Sequence, residues 1–304
     1  MLAITAPQIY AQVSVGISIS ANIAPPALPV YTQPVCPNDG YIWTPGYWAY
    51  DDNDGYYWVP GVWVAPPQPG VLWTPAYWGF VGGVYGFHAG YWGPHVGFYG
   101  GINYGFGYGG VGFGGGVWAG NSFRYNTAVT NVNTTIVHNT YVNNTVINNT
   151  TVNNHTSFNG AGGVNAMPNA QERSAMNEQH IQPTSNQMSH QQSASQDHNQ
   201  FASVNHGSPG TTAMSKVGGT KFNQQGHIAN RAANQQQRIA SGVRDGQMNA
   251  GQVAKTEKRE QNINRNVHAD RQANGGKLNA QQKGQINRQQ NRASKQIAKQ
   301  RHDK

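Results

Sequence analysis

Apolar and polar positions follow four different rhythms along this chain. From residue 12 to 23, Val13, Val15, Ile17 and Ile19 alternate with Ser14, Gly16, Ser18 and Ser20. A period of two predicts a β-strand with one buried face. Pro25, Pro26 and Pro29 then end the pairing and carry the chain on in an extended form. Between residues 36 and 92 the rhythm is aromatic, with a period of fifteen. Trp43, Gly46 and Trp48 are repeated as Trp58, Gly61 and Trp63, and again as Trp73, Ala76 and Trp78. A fourth copy, Phe87, Gly90 and Trp92, comes one residue early.

The turn chemistry inside these units is explicit. Thr44-Pro45-Gly46-Tyr47 and Val59-Pro60-Gly61-Val62 place Pro at the second and Gly at the third position of a type II turn. Thr74-Pro75-Ala76-Tyr77 lacks the glycine and is expected to shift to type I. On this reading each unit is its own reversal. The pairs Trp43 and Trp48, Trp58 and Trp63, and Trp73 and Trp78 pack across it, and the units stack as an antiparallel meander.

Residues 93–124 are glycine and aromatic, which predicts loose loops clasped by rings. In residues 125–158, Val137, Val142, Ile147 and Val152 recur every five among Asn and Thr. This segment reads as stacked extended structure or as a polar linker. Residues 159–225, rich in Gln, Ser and Asn, lack sustained periodicity. They are expected to be disordered, apart from a short helix at 170–180. Helical spacing returns in residues 226–304. Ile228, Ala232, Ile239 and Val243 mark one helix, Val253, Ile263 and Val267 a second, and Ile286, Ala293 and Ile297 a third. Two matching stretches thirty residues apart place Asn249 before Gln252 and Asn279 before Gln282, the spacing of a capping box. Met248 and Val253 are placed to staple the first of these helix starts. The connectors around Gly246 and Gly276 look like EF-hand loops stripped of their ligands, so they are expected to join helices without binding calcium.

Composition agrees with a chain that is largely non-globular. Of 304 residues, 37% are hydrophobic and 11% charged, with 38 glycines, below what two ordinary cores need. The fold class expected is mixed: a small β-rich aromatic module, an Asn/Thr-rich extended or disordered middle, and an α-helical helix-loop-helix tail. Charge is segregated. Only Asp39, Asp51, Asp52 and Asp54 are charged before Arg124, whereas 18 basic and five acidic residues follow from Lys216 onward, a balance of +13. Residues 1–11 resemble the back half of a secretory signal without its basic start, and residues 12–35 form the strand and Pro-rich lead-in.

Candidate chemistry is sparse. Asp51-Asp52-Asn53-Asp54-Gly55 lacks full calcium-loop spacing and reads as a solvated turn. His88 and His95 have no third ligand nearby in sequence, and Cys36 is the only cysteine. No catalytic set, metal site or cofactor is expected.

The units Trp43–Trp48, Trp58–Trp63 and Trp73–Trp78, introduced by Cys36-Pro37-Asn38-Asp39-Gly40-Tyr41, resemble the bacterial YXWGXW (W-x-x-G-x-W) repeat proteins. The resemblance implies an exported envelope protein, periplasmic, outer-membrane-associated or extracellular, and carries no activity. Two non-catalytic readings follow. In one, the module is structural, self-associating or held at the envelope, and the basic tail contacts acidic polymers. In the other, Trp43, Trp48, Trp58, Trp63, Trp73, Trp78 and Trp92 form a platform that stacks on glycans, with Pro45, Gly46, Pro60, Gly61, Pro75 and Ala76 as its structural turns. An intracellular tail on nucleic acid is the third choice, and no sequence-specific recognition is expected because no aromatic residues interleave with the basic ones. No apolar run is long enough for a membrane-spanning helix.

Overall fold

A proline in a paired strand removes a ladder hydrogen bond, and this places the first break in the fold. The computed structural model describes residues 17–29, 31–145, 156–222, 235, 239, 247–274 and 278–302. The signal-like segment, Val13 and Val15, Ile147 and Val152, the loop residues Gly246 and Gly276, and most of the helix expected near 227–244 lie outside them. The chain divides into two units, residues 1–222 and 223–304.

In the first unit, β1 (Ile17–Ala21) precedes β2 (Ile42–Thr44), β3 (Tyr47–Asp51), β4 (Gly55–Val59) and β5 (Gly61–Val64). The second half of the repeats forms β6 (Leu72–Thr74), β7 (Tyr77–Val81), β8 (Val84–His88) and β9 (Tyr91–Gly93). Strand β3 pairs with β4 and β2 with β5, both antiparallel, bringing Trp48 opposite Trp58 and Trp43 opposite Trp63. Units one and two are therefore the two arms of one long hairpin, interrupted at Pro45-Gly46 and at Pro60. Units three and four repeat this: Trp78 faces Phe87 and Trp73 faces Trp92.

This corrects the expected meander. The Pro-Gly sites are not reversals, and Gly46, Gly61 and Gly90 do not adopt positive φ. The true reversals lie between units. The first hairpin turns through Asp52, Asn53 and Asp54 into Gly55 at φ 80°; the second turns through Gly82 and Gly83 at φ 63° and 91°, the two left-handed positions of a type I′ turn. A three-residue loop in one hairpin and a two-residue loop in the other accounts for the fourth copy arriving one residue early.

The glycine-rich segment is more ordered than loose loops. It forms β10 (Asn103–Gly105), β11 (Tyr108–Gly109), β12 (Gly116–Ala119) and β13 (Ser122–Asn126). Three buried phenols hold it in place: Tyr104 donates to the Ala76 carbonyl, Tyr108 to Trp73 and Tyr99 to Gly112. Strand β14 (Thr140–Tyr141) pairs parallel with β13. The five-residue rhythm does not make a stack in the described part: Val137 is buried and Val142 is 68% exposed.

The Gln/Ser/Asn-rich segment, expected to be disordered, is structured over residues 156–222. It contains β15 (Phe158–Asn159), the helices α1 (Ala170–Met176), α2 (Ser185–Ser195) and α3 (Ala202–Asn205), and the strands β16 (Ala213–Met214) and β17 (Lys221–Phe222). It has little apolar mass of its own. What orders it is the module it covers: β15 extends β7 and β16 extends β5, both in parallel. Capping boxes start α1 at Asn169 with Glu172 and α2 at Thr184 with Gln187.

The second unit is an antiparallel helical hairpin of α4 (Ala250–Ala273) and α5 (Ala280–His302). Both expected capping boxes are present, with Asn249 and Gln252 exchanging two hydrogen bonds of 2.9 Å and Asn279 and Gln282 doing the same. The seam runs through Thr256, Glu260, Ile263 and Val267 of α4, and through Ile286, Gln290, Ala293 and Ile297 of α5, all buried. Their spacing of four, three and four is heptad-like. Met248 and Ile239 are buried with Ile297, and Val253 packs against them.

Candidate functional site

All seven tryptophans of the four units are inside the first unit, none more than 5% exposed. Facing rings meet edge to face or tilted, with centroids 5.4 Å apart for Trp43 and Trp63, 5.3 Å for Trp48 and Trp58, and 5.3 Å for Trp73 and Trp92. A buried indole N–H requires an acceptor, and most of these reach backbone carbonyls: Trp48 donates to Ala27, Trp63 to Pro34 and Trp78 to Trp48. The row of exposed ring faces that the glycan platform required is therefore absent, because the rings form the core.

The glycine of each unit is a contact point. A Cβ on Gly61 would stand 2.6 Å from Cζ2 of Trp43 and 3.0 Å from the Gly46 nitrogen, and one on Gly46 would fall on the Trp58 ring, 2.8 Å from the Gly61 nitrogen. The first Trp of each unit thus covers the glycine of its partner, reciprocally. In the second hairpin Gly90 lies under Trp73 in the same way. Position 76 carries a methyl group, and the ring in the place of Trp58 is the smaller Phe87, which shares a buried cluster with Ala76. The corner nitrogens freed from the ladder find other acceptors: Gly46 N–H donates to the Tyr31 hydroxyl at 3.1 Å, and Gly61 N–H to the Thr212 carbonyl at 3.2 Å.

The corners of both hairpins converge on a cavity of about 60 Å³, lined by Thr44, Pro45, Pro60, Ala76, Ala89 and Gly90 among others and covered by Gln187, His190 and Gln191 of α2. His190 Nε2 donates to the Pro60 carbonyl at 2.8 Å; Gln187 accepts from the Trp92 indole at 2.8 Å; Gln191 accepts from the Tyr47 hydroxyl at 3.0 Å. Farther along, Gln200 donates to the Trp58 carbonyl, and Thr212 accepts from the Trp58 indole at 3.1 Å. Burial holds the His190 imidazolium below the ordinary histidine range, against the opposing pull of the Pro60 carbonyl. The titratable side chains among its lining residues are His190 and Tyr47. Sequence reasoning missed these polar residues because nothing in their spacing marks them; the only clue is that buried indoles must find acceptors somewhere.

The other candidates have separate surroundings. His88 stacks on Tyr77 with centroids 4.4 Å apart, whereas His95 contacts Glu178 at 2.8 Å. The Asp51 carboxylate accepts the N–H groups of Asn53 and Asp54 within its own turn. Cys36 is fully buried, and burial pushes its thiol up to about 12. Among the described residues no group of three His, Cys, Asp or Glu side chains is placed to hold a metal ion. No helix among them is long and apolar enough to cross a membrane.

Residues 38–64 match the family model of the WXXGXW repeat, in two copies. That span covers both arms of the first hairpin, so the chain carries the repeat of the family it resembles. No curated protein and no solved structure matches the chain.

Proposed function

We propose that this is a non-catalytic structural or interaction protein exported to the bacterial cell envelope. In this reading the aromatic unit is a rigid body and the basic helical unit contacts acidic polymers there. The observation that carries it is the division of labour within the chain. Every aromatic residue lies at or before Phe222, with its repeat tryptophans committed to the core, while most of the basic charge lies beyond it. Rings that serve as core are unavailable as a glycan platform, which supports a structural role for the repeats.

Fractionation of tagged full-length protein tests the location. Recovery in periplasm, envelope or medium supports the proposal, and recovery in the cytosol sinks it. Adding saturating peptidoglycan fragments should leave Trp emission unchanged; strong quenching would restore the glycan reading.

A further inference from the structure

We propose that the outward face of α5 binds a linear phosphate polymer through its backbone charge alone. This rests on the reading that the helical unit contacts acidic polymers, and it assigns that contact to one face and one chemistry. Arg288, Arg292, Lys295 and Lys299 follow each other at intervals of four, three and four residues, and all four are exposed. The buried seam of the same helix, Ile286, Gln290, Ala293 and Ile297, has the same intervals two positions earlier. At 100° per residue an offset of two puts the cations nearly opposite the seam, so they form one stripe on the side away from α4.

From residue 288 to 299 the stripe is about 16 Å long, with a cation every 4.5–6 Å or so. α5 contains no Asp or Glu, so no carboxylate on the same helix offsets the field. The corresponding face of α4 has Lys258 and Arg265 separated by Asn262, with Asp270 nearby, and is weaker. Residues 223–304 contain no Phe, Trp or Tyr. Single-stranded bases are typically gripped by stacking on aromatic rings, and carboxylates that grip sugar hydroxyls are missing from α5 too. What the stripe can recognise is closely spaced negative charge. Arg forks and Lys ammonium groups both suit phosphate oxygens, each of which can be shared between neighbouring cations.

The test uses full-length protein with inorganic polyphosphate, with polyglutamate as the carboxylate control. One variant carries Arg288→Gln, Arg292→Gln, Lys295→Gln and Lys299→Gln; a matched one carries Lys255→Gln, Lys258→Gln, Arg259→Gln and Lys283→Gln. Glutamine keeps helix propensity, and circular dichroism checks that both variants stay folded. The α5 variant should lose at least tenfold in polyphosphate affinity at low salt, and its log–log salt slope should fall by about 3, the value for four contacts on a single-stranded polyanion. The matched variant should lose less than about threefold, as expected of diffuse charge. Equal losses in the two variants would overturn the face assignment. Polyglutamate binding as tight as polyphosphate would overturn the preference for phosphate. If the wild-type chain binds neither polymer, the acidic-polymer reading falls as well. Base-identical affinity for oligo-dT and oligo-dA supports recognition through the backbone, and a marked preference contradicts it.

Discussion

Glycine 46 is the residue on which the first hairpin closes, because the Trp58 ring occupies the space a methyl group would need. Gly46→Ala should therefore cost about 1–3 kcal/mol, the usual range for overpacking, read as a lower midpoint in denaturant followed by Trp fluorescence. The same logic reverses the expectation for position 76. Since no positive φ is involved, Ala76→Gly relieves no strain; it removes a methyl from a buried cluster and should cost about 1 kcal/mol. Phe87→Trp alone should clash with the Ala76 methyl, and Ala76→Gly should rescue it. A double-mutant cycle with coupling below about 0.5 kcal/mol would show that positions 76 and 87 do not compensate each other. The repeat motif was legible residue by residue. The reason for its glycine was not, because the ring that excludes a side chain comes from a unit fifteen residues away.

Among the elements, α2 should hold less tightly at acid pH. His190 is held neutral by burial, so the unfolded or undocked state takes up a proton more readily than the docked one. Its contribution is complete above the ordinary histidine value near 6.5 and is lost progressively as pH falls below it. His88, depressed by burial as well, acts in the same direction. Hydrogen exchange across residues 185–195 should quicken between pH 7 and 5, and His190→Gln, which keeps an N–H donor, should flatten that response. An unchanged pH response in the variant would remove His190 from the account. For the helical hairpin, Asn249→Ala and Asn279→Ala each delete a cap whose geometry is present and should each cost about 1 kcal/mol of helix stability, measured from the thermal transition at 222 nm. Caps were readable because both partners lie within four residues. The heptad seam was read only in its aliphatic half, since Thr256, Glu260 and Gln290 look like surface residues until the opposing helix covers them.

The whole molecule holds two units with different chemistry, and alkaline pH separates them. Burial raises the hydroxyls of Tyr31, Tyr47, Tyr56, Tyr99, Tyr104 and Tyr108 well above the normal tyrosine value, and that of Tyr77 to about 12. The folded state therefore keeps protons that the unfolded state gives up, so the stability these hydroxyls contribute is complete below about pH 10 and falls as pH rises beyond it. Residues 223–304 contain neither Tyr nor Cys. Between pH 8 and 11 the Trp-detected transition should move to lower temperature while the helix-detected one does not follow it; a parallel shift of both would mean that tyrosine ionisation is not the cause. By itself the sequence determined what depends on near neighbours: the repeat and its period, the capping boxes, the segregation of charge, and the separation of an aromatic from a helical region. Tertiary structure alone decided which tryptophans face each other, that the Pro-Gly sites interrupt hairpins instead of making them, and that residues 156–222 are ordered. Those outcomes depend on hydrogen bonds and ring contacts between residues tens to more than a hundred positions apart, such as Trp58 with Thr212. A polar segment without a core of its own acquires structure by satisfying the buried donors and acceptors of another.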